Sequence, residues 1–249
     1  RQLAWSYYSK PPLIGWLMRL VGELSGNASW AVRVASITCG TTTAALIFLL
    51  TRRLYDARTG FYAALMLTLT PANVALNIAF NTDPPLLVFW SAALLFFWRA
   101  VENPQRWGWW IALALAIGFG CLAKQMMLVF PLMMLFFLLS SREDRALLRE
   151  PRLWLSIFAG MAFLLPMMQW QREHGWVTAT HMKENFESTP LGFWGWLEQF
   201  LRFPILQAAT YGFITWIVMV SALIVCVRNW RGTERREKFL VMFSAPALF

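Results

Sequence analysis

One pattern dominates the sequence: apolar runs alternate with short joints that carry the charges. The runs fall at 30–51, 61–77, 84–101, 107–122, 125–140, 153–170 and 206–227, and another starts near 239. A hydrocarbon core about 30 Å thick takes roughly 20 apolar residues as a helix. Several runs meet that length, so the fold class is an all-α membrane protein with multi-pass transmembrane helices. Composition agrees, since 58% of residues are hydrophobic and 14% charged, where a soluble domain carries about a quarter charged. The runs at 107–122 and 125–140 are separated only by Ala123 and Lys124. Such short segments enter and leave the membrane steeply or reach only part of its depth.

The net charge of +9 raises nucleic acid as a partner, but that use needs cations gathered on a soluble face. Here they sit between apolar runs, which points to membrane lipids and excludes nucleic acid. Cys39, Cys121 and Cys226 are scattered singly inside apolar segments and read as small core residues, neither a disulfide framework nor a metal set. The opening Arg1-Gln2-Leu3-Ala4-Trp5 lacks the character of a signal peptide, and the final apolar run stops short of a span. We therefore expect residues 1–249 to be a single transmembrane domain cut at both ends, with 1–29 an outer loop and 30–249 about eight membrane segments. Residues 11–25 mix Leu13, Ile14, Trp16, Leu17, Leu20 and Val21 with Arg19 and Glu23. That mixture suits an interfacial helix, with Pro11 and Pro12 in its first turn, where a missing N–H costs nothing.

Cytoplasmic joints carry the excess of lysine and arginine. The joints around Arg52 and Arg53, Arg99 and Arg106, Arg142 to Arg152, and Arg228 to Lys238 form the rich set. Residues 1–29, the joint at 77–83, Lys124 and the loop 171–205 form the poor set and face outside. The outer set holds isolated ionisable groups beside membrane ends. Asp83 in Asn81-Thr82-Asp83-Pro84-Pro85 reads either as a helix cap before two prolines or as a rigidly held carboxylate able to act as base or bind a cation. Lys124 has no acidic neighbour in sequence. Either it snorkels to head groups, or it meets an anionic ligand such as a lipid phosphate. Lys10 lies in Tyr7-Tyr8-Ser9-Lys10-Pro11-Pro12, where the following proline forces extended backbone; an interfacial belt and a ligand contact both fit it. His174 and His181, with carboxylates nearby, are candidates for a divalent metal, although their spacing matches no established ligand pattern, and solvated loop histidines are the plainer account.

Four stretches resemble, in order, the polyprenyl-phosphate-dependent glycosyltransferases of GT-C type, families 39 and 83, the group of the protein O-mannosyltransferases and the lipid A aminoarabinose transferase. Tyr7 to Trp16 is similar to that family's first outer loop, Thr82-Asp83-Pro84-Pro85-Leu86-Leu87 to an outer joint, Gly120-Cys121-Leu122-Ala123-Lys124 to its lysine joint, and Gln171-Arg172-Glu173-His174-Gly175-Trp176 to the start of a later outer loop. The resemblance implies a GT-C fold in a bacterial inner membrane, with a periplasmic site and a sugar on a polyprenyl phosphate as donor. An acceptor, which no residue identifies, attacks the anomeric carbon in one inverting displacement. It further implies that Lys10, Lys124 and Tyr8 bind the donor phosphate and that Asp83 is a second important acid. The principal base, an Asp-Glu pair opening the first outer loop, would lie upstream of Arg1. Ser9 departs from the pattern, because the aminoarabinose transferase has an acidic metal ligand before the lysine. The rival from another class is a polytopic transporter or lipid flippase. Repeated halves with broken helices would favour it, and the sequence shows no such symmetry.

Overall fold

A computed structural model describes residues 4–7, 10–78, 80–141, 143–178, 180, 192–230 and 232–244. Among them every regular element is helical. Helix α1 is Leu13–Ser25, α2 Ser29–Leu54, α3 Ala57–Leu69, α4 Pro71–Ile78, α5 Asp83–Glu102 and α6 Trp107–Ala123. A 3-10 turn at Gln125–Leu128 leads into α7, Val129–Ser140, and another at Asp144–Arg149 precedes α8, Pro151–Ala162. The described chain continues with α9 Leu165–Glu173, α10 Phe193–Tyr211, α11 Phe213–Arg228 and α12 Arg235–Ser244.

Each apolar run coincides with helix, yet single crossings are fewer than runs. Helices α2, α5 and the nearly continuous α8–α9 have the length and hydropathy of a span, and two bent pairs raise the number to five at most. The run expected at 61–77 bends by 61° between α3 and α4. Thr70 there has ψ 128°, because the ring of Pro71 crowds the helical conformation of the residue before it. The run at 206–227 needs a larger correction. Residues 193–205, read as outer loop, are already helical, and the chain turns by 114° between α10 and α11. Gly212 makes that turn with φ 86°, a conformation open to glycine at little cost. Helix α12 starts four residues before the expected apolar run because Arg235, Arg236, Glu237 and Lys238 form its polar first turn.

Helices α5 and α6 lie at the centre, with α2 and α8 packed on them. Between α6 and α8 the close approach rests on two glycines. A Cβ on Gly118 would come 2.6 Å from the Phe163 ring, and one on Gly160 would come 2.8 Å from Ile117. Lipid tails are as apolar as leucine, so helices in a bilayer associate through such packing and through hydrogen bonds. Phe97, Phe137 and Phe239 are fully buried and interlock with Phe243 at ring separations of 4.9 to 6.2 Å. This cluster docks α12 against α5 and α7. Cys121 is buried in the same core, whereas Cys39 and Cys226 are only partly covered. Large apolar side chains such as Leu69, Phe136, Phe158 and Ile214 point outward, as a lipid-facing surface requires.

Candidate functional site

Contacts group the joints into two sets. In one set Arg53 Nε donates to both carboxylate oxygens of Glu102 at 3.0 Å, and Arg152 donates to Pro104 O at 2.9 Å and Gln105 Oε1 at 2.8 Å. Arg236 donates to Leu54 O at 3.1 Å and covers the Tyr55 ring at 4.4 Å. Asp144, 2% exposed, accepts two hydrogen bonds from Arg235, which also lies over Trp98. These contacts tie together the arginine-rich joints, and Arg53, Arg152, Arg235 and Arg236 each have a carboxylate, carbonyl or ring to answer them.

The other set is sparser. Asp83 is the first residue of α5, and Pro84 and Pro85 follow it in the turn where their missing N–H groups cost nothing. Its own N–H donates to Asn81 Oδ1 at 2.8 Å, fixing the entry to the helix. Lys124 closes α6 with extended backbone at φ −159°. Its N–H donates to Gly120 O at 2.9 Å, and its carbonyl accepts from Met127 N at 3.1 Å. Met127 is fully buried over Gly120, so the break between α6 and the 3-10 turn is held from both sides. Across 41 residues of sequence, Lys124 Nζ meets Asp83 Oδ1 at 2.5 Å. The helix ends favour this pairing, since an acid suits an N-terminus and a base a C-terminus. Side-chain exposures of 35% for Lys124 and 31% for Asp83 leave the pair open on one side. An ammonium has three donors, so the contact with Asp83 leaves others for an outside acceptor.

Lys10 is exposed directly before the buried Pro11 and Pro12 and has no ion-pair partner among the described residues. Three residues later Leu13 joins the buried cluster that contains Leu122 and Ala123, next to Lys124, and α1 packs on α6. The structure thus joins Asp83 to Lys124 and gives Lys10 no bond to either. Tyr8, Ser9 and His181 lie outside the described residues. His174 is exposed; its ring stacks on Trp170 at 3.9 Å, with Nδ1 2.8 Å from the Trp170 carbonyl. Among the described residues no three His, Cys, Asp or Glu side chains come together as metal ligands.

Sequence reasoning missed a buried polar set on the same side. Gln171, 4% exposed, donates to Ser6 Oγ at 2.8 Å and also hydrogen-bonds Thr178. Thr178 Oγ1 in turn donates to Tyr7 O at 3.1 Å. A glutamine at the end of an apolar helix was the available signal, because a buried amide needs partners. An open groove of about 750 Å³ runs along α9, lined by Leu165, Met168, Gln169, Arg172, Glu173 and Trp176. Asp83, Lys124 and Lys10 do not line it.

Apolar helices long enough to span a bilayer define the class, a polytopic helical membrane protein. The crystal structure of ArnT from Cupriavidus metallidurans in the apo state superposes with a TM-score of 0.63 at 18% identity, covering 97% of this chain and 44% of that one. Residues 9–170 match the family model described as dolichyl-phosphate-mannose-protein mannosyltransferase, and the chain belongs to that family. A lipid A galacturonosyltransferase, RgtD, of Rhizobium johnstonii is 29% identical over 97% of this chain and 50% of its own length. An undecaprenyl phosphate-alpha-4-amino-4-deoxy-L-arabinose arabinosyl transferase of Pseudomonas aeruginosa is 27% identical over 98% and 43% respectively. The chain therefore spans about half the length of these curated relatives.

Proposed function

We propose that the chain belongs to a glycosyltransferase that moves a sugar from a polyprenyl-phosphate donor to an acceptor outside the cytoplasm, in a bacterial inner membrane with the Asp83–Lys124 end toward the periplasm. The names of the relatives point to an undecaprenyl-phosphate donor and to lipid A as acceptor. The observation that carries this is the Asp83–Lys124 pair, formed between two helix ends on the side away from the arginine-rich joints.

In a single displacement the acceptor oxygen forms its bond to the anomeric carbon as the bond to the phosphate oxygen breaks. The acceptor proton passes to a base, and the phosphate leaves with its electron pair. Negative charge grows on that phosphate, and fixed cations stabilise it most where water is excluded. Lys124 supplies such a cation, with Lys10 as the second. Asp83 holds the Lys124 ammonium in place and offsets its charge. Tyr8 completes the phosphate contacts by resemblance. Family membership gives no support to a transporter or flippase.

The test is sugar transfer from a polyprenyl-phosphate donor in membranes containing the protein. Lys124→Ala and Asp83→Ala are expected to reduce transfer sharply while membrane expression holds. Full activity in both would sink the assignment, and movement of intact lipid without any glycosylated product would favour the transporter instead.

A further inference from the structure

The Lys10 loop has a built anchor that the chemistry above does not use. Ser6, Gln171 and Thr178 are 1%, 4% and 6% exposed, and buried polar side chains are retained only where their hydrogen bonds close. Here they close on the loop. Gln171 reaches across 165 residues to Ser6 Oγ, while Thr178 N donates to Gln171 Oε1 at 3.3 Å and Thr178 Oγ1 donates to Tyr7 O at 3.1 Å. The Tyr7 N–H then donates to Lys10 O at 3.2 Å, tying the anchor to the backbone of the lysine. Gln171 is itself fixed from behind, since its carbonyl accepts from the Trp176 N–H at 2.8 Å. On the far side of Lys10 the buried Pro11 and Pro12 stiffen the chain into α1. The Lys10 backbone is thereby held by Tyr7 and followed by two buried prolines, with its own side chain exposed.

We infer that Gln171 and Thr178 are positioning residues: they hold the Ser6–Tyr7 backbone so that Lys10 stands ready for an anionic ligand, the donor phosphate on the function proposed above. A lysine needed only as a membrane anchor works from a mobile loop. A lysine that must meet a growing charge does not, because loss of about an ångström of placement costs a large part of the rate.

The inference rests on the proposed role of Lys10, so the experiment separates the two. Transfer rates are measured for Lys10→Ala, Thr178→Val and the double variant, with hydrogen exchange of the segment around residues 4–10 followed in parallel. Thr178→Val keeps the shape of the side chain and removes both the donor to Tyr7 O and the acceptor of Gln171 Nε2. It is expected to cost about tenfold in kcat, to speed exchange at the Tyr7 amide, and to add nothing in the Lys10→Ala background. Thr178→Ser should restore both. Where Thr178→Val fails to accumulate, Ser6→Ala removes a single acceptor from Gln171 and is put through the same comparison. Multiplying losses in the double variant, or unchanged exchange around residues 4–10, would overturn the positioning role alone. Full activity of Lys10→Ala would overturn the reading of Lys10, and the inference with it.

Discussion

Replacing Lys124 by Met and Asp83 by Asn, singly and together, separates what their pair does for stability from what it does for transfer. At 2.5 Å the bare attraction is about 1.7 kcal/mol in a water-like medium and about 7 kcal/mol at an effective dielectric near 20. Both side chains keep about a third of their surface exposed, so the net value sits near that of partly solvated pairs, about 1 kcal/mol. Each residue also keeps a second source of support when its partner is removed. Asp83 stands at the N-terminus of α5 and Lys124 at the C-terminus of α6, and a helix end offers about 0.3–1 kcal/mol to the charge that suits it. Thermal unfolding in detergent should therefore move by only a few degrees for either variant, with a coupling of about 1 kcal/mol in the cycle.

Transfer should respond on another scale. Removing a donor that faces charge developing in a transition state costs about 10²–10³ in rate, or about 3–4 kcal/mol. That exceeds what a weakened pair can explain, so Lys124→Met is expected to lose that much in kcat at a temperature where it remains folded. Asp83→Asn should lose less, because an uncharged side chain still crowds the ammonium into place. The double variant should be no worse than Lys124→Met, since Asp83 acts here through Lys124. Near wild-type transfer by Lys124→Met, or losses in the two singles that multiply, would refute this account and leave the pair as a structural clasp.

Three further outcomes follow from other parts of the bundle. Gly160→Leu drives a side chain into Ile117 and the Ala114 carbonyl, 2.8 and 3.0 Å from the first added carbon, and overpacking of this kind should cost at least about 1–3 kcal/mol, read as a lower melting temperature. Asp144→Ala removes the buried carboxylate that accepts two hydrogen bonds from the partly exposed Arg235 and is expected to cost about 1–3 kcal/mol, read as a lower melting temperature. At Asp56, the Thr59 backbone N–H first and its hydroxyl second hold the carboxyl below its ordinary value. The folded state thus favours the ionised cap, whose stabilisation is present above the ordinary aspartate range and is lost as pH falls through the lowered folded value. Melting of Asp56→Ala should accordingly differ from wild type at neutral pH and converge with it in strong acid.

Fold class was legible because its signal is local. Runs at 30–51 and 84–101 became α2 and α5 with shifts of a few residues at their ends. The joints at Arg53, Arg152 and Arg235 found one another at one end of the bundle. What sequence hid were breaks and pairings. Apolar character continues through Thr70-Pro71 and through Gly212, so hydropathy alone runs a span across both, although the proline and the glycine each mark the bend. Residues 193–205 looked like loop because Trp194, Trp196, Phe200 and Phe203 are interrupted by Glu198 and Arg202; those two are one helical turn apart and bond at 3.1 Å, a spacing that supports helix. The Asp83–Lys124 pair has no local trace, because its partners are 41 residues apart.

The two ends also differ in how their cations are answered, and that difference bears on function more than the count of charges does. Arg53, Arg152, Arg235 and Arg236 each hold a carboxylate, and three of them lie over an aromatic ring as well. An anion arriving at any of these four would have to displace contacts already made. On the opposite side Lys10 has no carboxylate among the described residues, and Lys124 has one whose charge cancels its own. Two lysines and one aspartate leave a net charge of about +1 before any ligand arrives. A phosphate that binds Lys124 through its spare donors therefore meets a cation already oriented by Asp83, while Lys10 supplies the uncompensated charge. That division of labour suits a leaving phosphate, which must be held as its charge grows and then released. It suits a conduction path poorly, because ionisable groups would then have to continue through the depth of the bundle, and the ion pairs described here gather at its ends.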